Sequence, residues 1–272
     1  MTLPAVLARD VALDRTIDAL VARVTEETGR LVRAWTKTLP AHLPVATDPA
    51  ALAVARRLDA DWHTLGWDRI LARTFDARVL RLVPLGLADG RAQVPPTAAA
   101  YLDAKRAGLE AEARRMLVDV AGIVRTAAAT RQDVGEIVVE VRERADAFVT
   151  LVQTWLDSAA SEVVQVVIGA DAPEARVFLY SGPIDTRIRR WCLRRVARVY
   201  RRPTIDRMDN GQLPNTFVTR GGWNCRHLWR PVDAPALVAL ADTGRPLPEV
   251  AATLAAVAAA LPRGRRPRRL LT

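Results

Sequence analysis

Apolar residues recur every three or four positions through the first two thirds of the chain, and this spacing restricts that part to amphipathic helices. Leu13, Ile17, Leu20, Val24, Leu31 and Trp35 form one such stripe. Asp48 and Pro49 suit the N-cap and first position of a second helix, running through Leu52, Leu58 and Trp62 toward Ile70. Leu85-Gly86 and Asp89-Gly90 are turn signals. Pro95-Pro96-Thr97 opens a third helix with Leu109, Met116, Val120 and Ile123 on one face. A fourth carries Phe148, Val152, Trp155, Ala159, Val163 and Val166, and ends between Gly169 and Pro173. Stripes of this kind are core-packing surfaces. Trp35, Trp62, Trp67 and Trp155 are then either core residues or anchors at an interface, where Trp is enriched.

Beyond Pro173 the pattern changes. Arg176 to Tyr180 is a short strand candidate, Ser181-Gly182-Pro183 a turn, and Thr186 to Tyr200 reads as a basic helix. A short helix from Pro203-Thr204 stops at Asp209-Asn210-Gly211. Phe217-Val218-Thr219 and Leu228-Trp229 read as two strands around Gly221-Gly222. After Pro235 comes an Ala-rich helix, roughly Leu247 to Leu261, and then a tail with Arg263, Arg265, Arg266, Arg268 and Arg269. The expected fold is mainly α: an elongated helical body over 1–172, a small basic α+β module over 173–235 with short strands around its Cys/His box, and an Ala-rich helix with an Arg-rich tail over 236–272.

Charge follows the same division. Residues 1–175 hold 21 basic and 24 acidic residues, a balance of −3; residues 176–272 hold 19 and 6, a balance of +13. The asymmetry suits a segment that meets a polyanion. Arg187, Arg190, Arg194, Arg198 and Arg201, at 3-4-4-3 spacing, would share one helical face and contact DNA phosphates or an acidic protein surface. The longest largely apolar run, Val250 to Leu261, is too short to span a bilayer, so no membrane partner is expected. The start, Met1-Thr2-Leu3-Pro4 followed by Arg9 and Asp10, lacks the pattern of a secretory signal.

The candidate site lies between Ser181 and Val232. It holds both cysteines, Cys192 and Cys225, and one of three histidines, His227. Cys225 and His227, two residues apart, would face the same side of a strand, where both can reach one ion, and Cys192 would return as a third ligand. Asp185, Asp209 or water would be the fourth. Three readings stay open: a metal site with zinc as the ion, a disulfide, or two buried thiols beside a hydrogen-bonded histidine. No Gly-x-Ser-x-Gly elbow, Walker loop or dinucleotide fingerprint is present, so no enzyme and no organic cofactor are expected. A hydrolase or nuclease using Asp185, Asp209 and His227 would be the enzymatic alternative.

The wording of this segment carries a resemblance. Tyr180-Ser-Gly-Pro-Ile-Asp185 precedes Arg187-Ile-Arg-Arg-Trp-Cys192. Val199-Tyr200, Thr204-Ile-Asp206 and Asp209-Asn-Gly-Gln-Leu-Pro214 follow, and Gly221-Gly-Trp-Asn-Cys-Arg-His-Leu-Trp-Arg-Pro-Val232 closes it. This order resembles the head-morphogenesis domain of tailed-phage minor head proteins, the Mu F-like family, over about one fifth of the chain. Gly182, Pro183, Asp185, Asp209, Gly211, Gly221, Gly222, Trp223 and Asn224 are the structural-motif residues of this segment. The chain departs from it at Cys192-Leu-Arg-Arg195, where many members have a Cys-x-x-Cys pair, at Gly222-Trp-Asn-Cys225, where many have a His-x-x-Cys approach, and at His227, where many have a second Cys. The resemblance implies a non-enzymatic minor capsid protein of a phage or prophage. Such a protein associates with portal and capsid proteins in several copies, is assembled in the bacterial cytoplasm and ends in the virion, at the head interior or portal vertex, where it meets packaged double-stranded DNA. The alternative is a nucleic-acid-binding module with a structural metal, unrelated to capsids.

Overall fold

A computed structural model describes residues 3–42, 48–79, 82, 95–171, 177–185, 187–232 and 234–260. The turns at Leu85-Gly86 and Asp89-Gly90, the break at Pro173, Arg176, Thr186, and the tail arginines 263, 265, 266, 268 and 269 lie outside these residues, as do the side chains of His42 and Leu52. The chain is mainly helical with one small antiparallel sheet, and it forms two compact units. One is Arg15–Asp171. The other joins Met1–Asp14 to Ala172–Thr272.

The first unit is built from the remainder of α1 (Leu3–His42), α2 (Asp48–Thr64), α3 (Trp67–Ala72) continued by a π-helical stretch (Arg73–Val79), α4 (Pro96–Thr130) and α5 (Val134–Asp171). The α1 stripe is buried as its spacing requires, from Leu13 to Trp35. The second helix does not run unbroken to Ile70. It stops at Thr64, and Gly66, at φ 110°, turns the chain before α3 begins at Trp67. The short helix that results places Trp67 inside. Trp35, Trp62, Trp67 and Phe148 form one aromatic cluster with ring centroids 5.4–5.8 Å apart. Trp35 also donates from Nε1 to the Leu58 carbonyl at 3.0 Å. These three tryptophans are core residues, not exposed anchors. Trp155 is half-buried, with Gly108 beneath its ring and the Lys105 ammonium 5.0 Å from the ring centroid.

Helices α4 and α5 pack as a hairpin. Arg131, left-handed at φ 55°, closes α4 by donating its N–H to the Ala127 carbonyl. Asp133 accepts from the Gly135 N–H at 2.7 Å and opens α5. Leu109, Met116 and Val120 are buried as expected, whereas Ile123 is only half-buried and Val124 takes the inward place. Glu162, fully buried, accepts from Tyr101 at 2.5 Å and from the partly buried Lys105 at 2.6 Å.

The second unit centres on a sheet of order β2-β1-β3, in which β1 (Val177–Ser181) pairs antiparallel with β2 (Arg198–Arg201) and with β3 (Leu228–Pro231). The basic helix over 186–200 does not form. Among the described residues of this stretch only α6 (Arg190–Leu193) is helical. Ala197, left-handed at φ 59°, then turns the chain into β2, where Val199 and Tyr200 pair with Leu179 and Phe178. Sheet pairing, a non-local term, overrides the helical spacing here. The five arginines therefore share no helical face. The helix α7 (Arg202–Asp206) follows β2 directly. The strand expected at Phe217-Val218-Thr219 is instead α8 (Thr216–Thr219): the Asn215 side chain caps it by accepting from the Val218 N–H, and Arg220 at φ 52° ends it. After β3 come α9 (Pro235–Val238), a 3-10 turn (Pro248–Val250) and α10 (Ala251–Ala260). Ala241, Leu247, Val250 and Leu254 from this last part complete the core around Phe178, Tyr180, Val199, Phe217 and Trp229.

Candidate metal centre and its ion-pair support

Strand β1 and the approach to β3 bring the candidate ligands together. Alternation along Cys225-Arg226-His227 sends Cys225 and His227 inward, both 2% exposed, and Arg226 to the other side. Cys192, from α6, is buried against them. Its Sγ lies 3.8 Å from Cys225 Sγ, and one donor atom from each of Cys192, Cys225 and His227 falls within 4.8 Å of the others. Tyr180 of β1 reaches the same point. Its Oη is 3.5 Å from Cys192 Sγ and 3.2 Å from Cys225 Sγ, and its ring stacks on His227 at 5.2 Å. The Gly221 N–H donates to Cys225 Sγ at 3.2 Å.

Electrostatics separate the two thiols. Burial pushes Cys225 up, but the hydrogen bond from Cys192, the adjacent His227 imidazole and the Arg220 charge together draw it well below the usual thiol range. Cys192 is raised, by donating to Cys225 and by burial. Burial, reinforced by both thiols, raises the Tyr180 phenol strongly.

The donor set fits a zinc-type ion on two counts. Neither ring nitrogen of the buried His227 has an oxygen or nitrogen partner among the described residues, only the neighbouring Cys225 sulfur, and an imidazole sealed in a core on so weak a partner is costly unless something else takes its lone pair. The sulfur separation is far beyond a disulfide bond of about 2.05 Å. It matches the roughly 3.8 Å between two thiolates that share a tetrahedral ion at about 2.3 Å each. Asp185 and Asp209 do not join the set. Asp209 accepts from the Gly211 N–H at 2.7 Å within its own turn. Asp185 takes both terminal nitrogens of Arg226, at 2.7 and 2.9 Å, and that bond holds its carboxyl below the usual range.

Room for the cluster depends on Gly221. A Cβ there would lie 2.4 Å from Cys192 Sγ, 3.1 Å from Cys225 Sγ and 3.3 Å from Tyr180 Oη. Gly221→Ala should thus cost about 1–3 kcal/mol, as overpacking of a filled core does. The expected result is a lower denaturation midpoint for this unit together with faster labelling of the two thiols. An unchanged midpoint and labelling rate would show that the cluster is not packed this way.

The remaining motif residues shape the surrounding turns. Gly182 lies against His227, where a Cβ would come within 2.8 Å of its Cα; Pro183 beside it is buried. The Gly222 N–H donates to the Thr219 carbonyl, the Trp223 N–H donates to Gln212 Oε1, and Asn224 is left-handed at φ 56°. Asn210 links two loops. Its Nδ2 donates to Thr219 Oγ1 and the Arg220 carbonyl, and its Oδ1 accepts the N–H groups of Gln212 and Leu213.

The five basic candidates are dispersed. Arg187 pairs with Asp14 and Asp185, Arg198 donates to the Gly244 carbonyl, and Arg201 pairs with Asp242. Arg190 lies in α6 and Arg194 at its C-cap, both exposed. The arginines that organise the unit are others. Arg226 also bonds Asp14 at 3.1 Å, and the buried Arg230 bonds the buried Asp10 at 2.5 and 3.1 Å. Asp10 and Asp14, from the first turns of α1, carry no local sequence signal for this role, because Arg226 and Arg230 lie 212 and 220 positions away. Tyr180 is legible in the sequence only as the end of a strand candidate and the first residue of the motif string.

No family model, no curated protein and no solved structure matches this chain.

Proposed function

We propose that the protein is a non-enzymatic minor head component of a tailed phage or prophage. In this reading it associates with the portal and capsid proteins during head assembly and meets the packaged DNA. One observation carries the reading. The residues that resemble the Mu F-like box gather at one place in the second unit: Tyr180, Cys192, Cys225 and His227 form a buried cluster, and Gly182, Asp185, Asn210 and Gly221 shape the turns around it. A coincidental string of motif words would have no reason to converge on one core.

In this reading the zinc-type ion held by Cys192, Cys225 and His227 is structural, since the site is sealed from solvent. The balance of +13 in residues 176–272 suits a unit that faces a polyanion. Arg190, Arg194 and the tail arginines are the groups proposed for that interaction. Neutralising Arg190 and Arg194 should leave the fold intact and flatten the salt dependence of DNA binding, by about one log–log unit for each phosphate no longer neutralised. An unchanged slope assigns these arginines to solvent or to protein. Deleting the gene from its phage tests the reading itself: particles should lose this chain and infectivity together. Heads that assemble, package and infect normally without it would refute the role. Specific metal-dependent DNA binding by the free chain, with no effect on heads, would favour a nucleic-acid-binding module instead.

A further inference from the structure

We infer that Tyr180 is the fourth donor of the metal centre, so that two cysteines, one histidine and one tyrosine close a tetrahedron that would otherwise be completed by water. The inference rests on the metal reading of the Cys192, Cys225 and His227 cluster and adds a residue to it. The phenol is fully buried, and its only hydrogen-bond partners among the described residues are the two sulfurs, which are weak acceptors. A buried hydroxyl normally finds an oxygen or nitrogen partner. Tyr180 instead lies where a fourth ligand belongs. With metal–sulfur bonds of about 2.3 Å and metal–oxygen bonds of about 2.0 Å, tetrahedral angles require sulfur–sulfur and sulfur–oxygen edges of about 3.8 and 3.5 Å. The observed edges are 3.8 Å between the sulfurs and 3.5 and 3.2 Å from Oη to each sulfur. The imidazole, stacked on the Tyr180 ring, has one nitrogen within 4.8 Å of both sulfurs, and that nitrogen is the donor assigned to the remaining corner.

Charge agrees with this ligand set. Two thiolates and one phenolate around a divalent ion leave the centre at −1, their protons passing to buffer as the ion binds. Arg220, wholly buried, donates to the Cys225 carbonyl at 3.4 Å and supplies the compensating +1.

The test is an anaerobic titration of the full-length apoprotein with Co(II), in wild type and in Tyr180→Phe, which keeps the stacking ring. The wild type should take up one equivalent and show the intense d–d absorption of four-coordinate cobalt, unchanged by added azide. Tyr180→Phe should bind at least tenfold more weakly, keep the thiolate charge-transfer absorption, and respond to azide at the vacated corner. Should the variant fail to fold, Zn(II) added to the wild type decides, because phenolate ligation gives a near-ultraviolet tyrosinate band and a water-completed site does not. Equal affinity and equal spectra in the two proteins, an azide response in the wild type, or no tyrosinate band would remove Tyr180 from the site while leaving the three-ligand reading in place. A wild type that takes up neither ion would overturn both.

Discussion

Replacing Asp10 by Ala is expected to remove about 3–5 kcal/mol from the stability of the second unit, the cost of stranding one charge of a buried ion pair. Asp10 is 2% exposed, and its partner Arg230 is 6% exposed in the middle of β3. Without the carboxylate, the buried guanidinium loses the counter-charge that accepts from two of its nitrogens. The effect comes from the uncompensated arginine and not from any large net value of the pair, so it can be reversed. Asp10→Leu with Arg230→Met should recover most of the loss, since apolar replacements of similar volume are often neutral or better. Denaturant unfolding of the two single variants and the double variant measures the coupling directly. A single Asp10→Ala loss below about 1 kcal/mol would mean that residues 1–14 do not seal against the sheet.

An effect of similar size is expected in the helical unit from Trp62→Ala. Trp62 is wholly buried and touches Trp35, Trp67 and Phe148, with centroids at 5.5, 5.4 and 5.8 Å. Its removal leaves a cavity walled by rigid rings that cannot collapse, which places the cost at about 3–5 kcal/mol. Trp155→Ala, at a half-buried position over Gly108, should cost clearly less. Helical circular dichroism followed through thermal or urea unfolding ranks the two. A Trp155→Ala loss equal to that of Trp62→Ala would contradict the assignment of the core.

The two positions also show what can be read from the residues alone. Leu13 to Trp35 and Phe148 to Val163 announce their helices because burial in a helical unit imposes a period that survives in sequence. The break at Gly66 is hidden, since Leu58, Trp62 and Ile70 hold a helical spacing across it and only the positive φ of one glycine resets the chain. Arg187 to Arg201 show the opposite error. Their 3-4-4-3 spacing is a local pattern, whereas the pairing of Val199 with Leu179 joins segments twenty residues apart. Phe217-Val218-Thr219 has strand composition but is a capped turn of helix, because Asn215 captures the Val218 N–H. Cys192, Cys225 and His227 are legible as a cluster by residue type. Tyr180, Asp10 and Asp14 are not, because a phenol on a strand and two acids on a helix acquire their roles only from partners that folding delivers.

The proposed role in the phage head is tested most directly by co-expressing the chain with the portal protein of the same phage and passing the lysate over a size-exclusion column. The chain should elute with the portal oligomer at a fixed ratio that survives salt high enough to displace DNA. A chain that elutes alone at every salt concentration, while the portal assembles normally without it, would contradict that role.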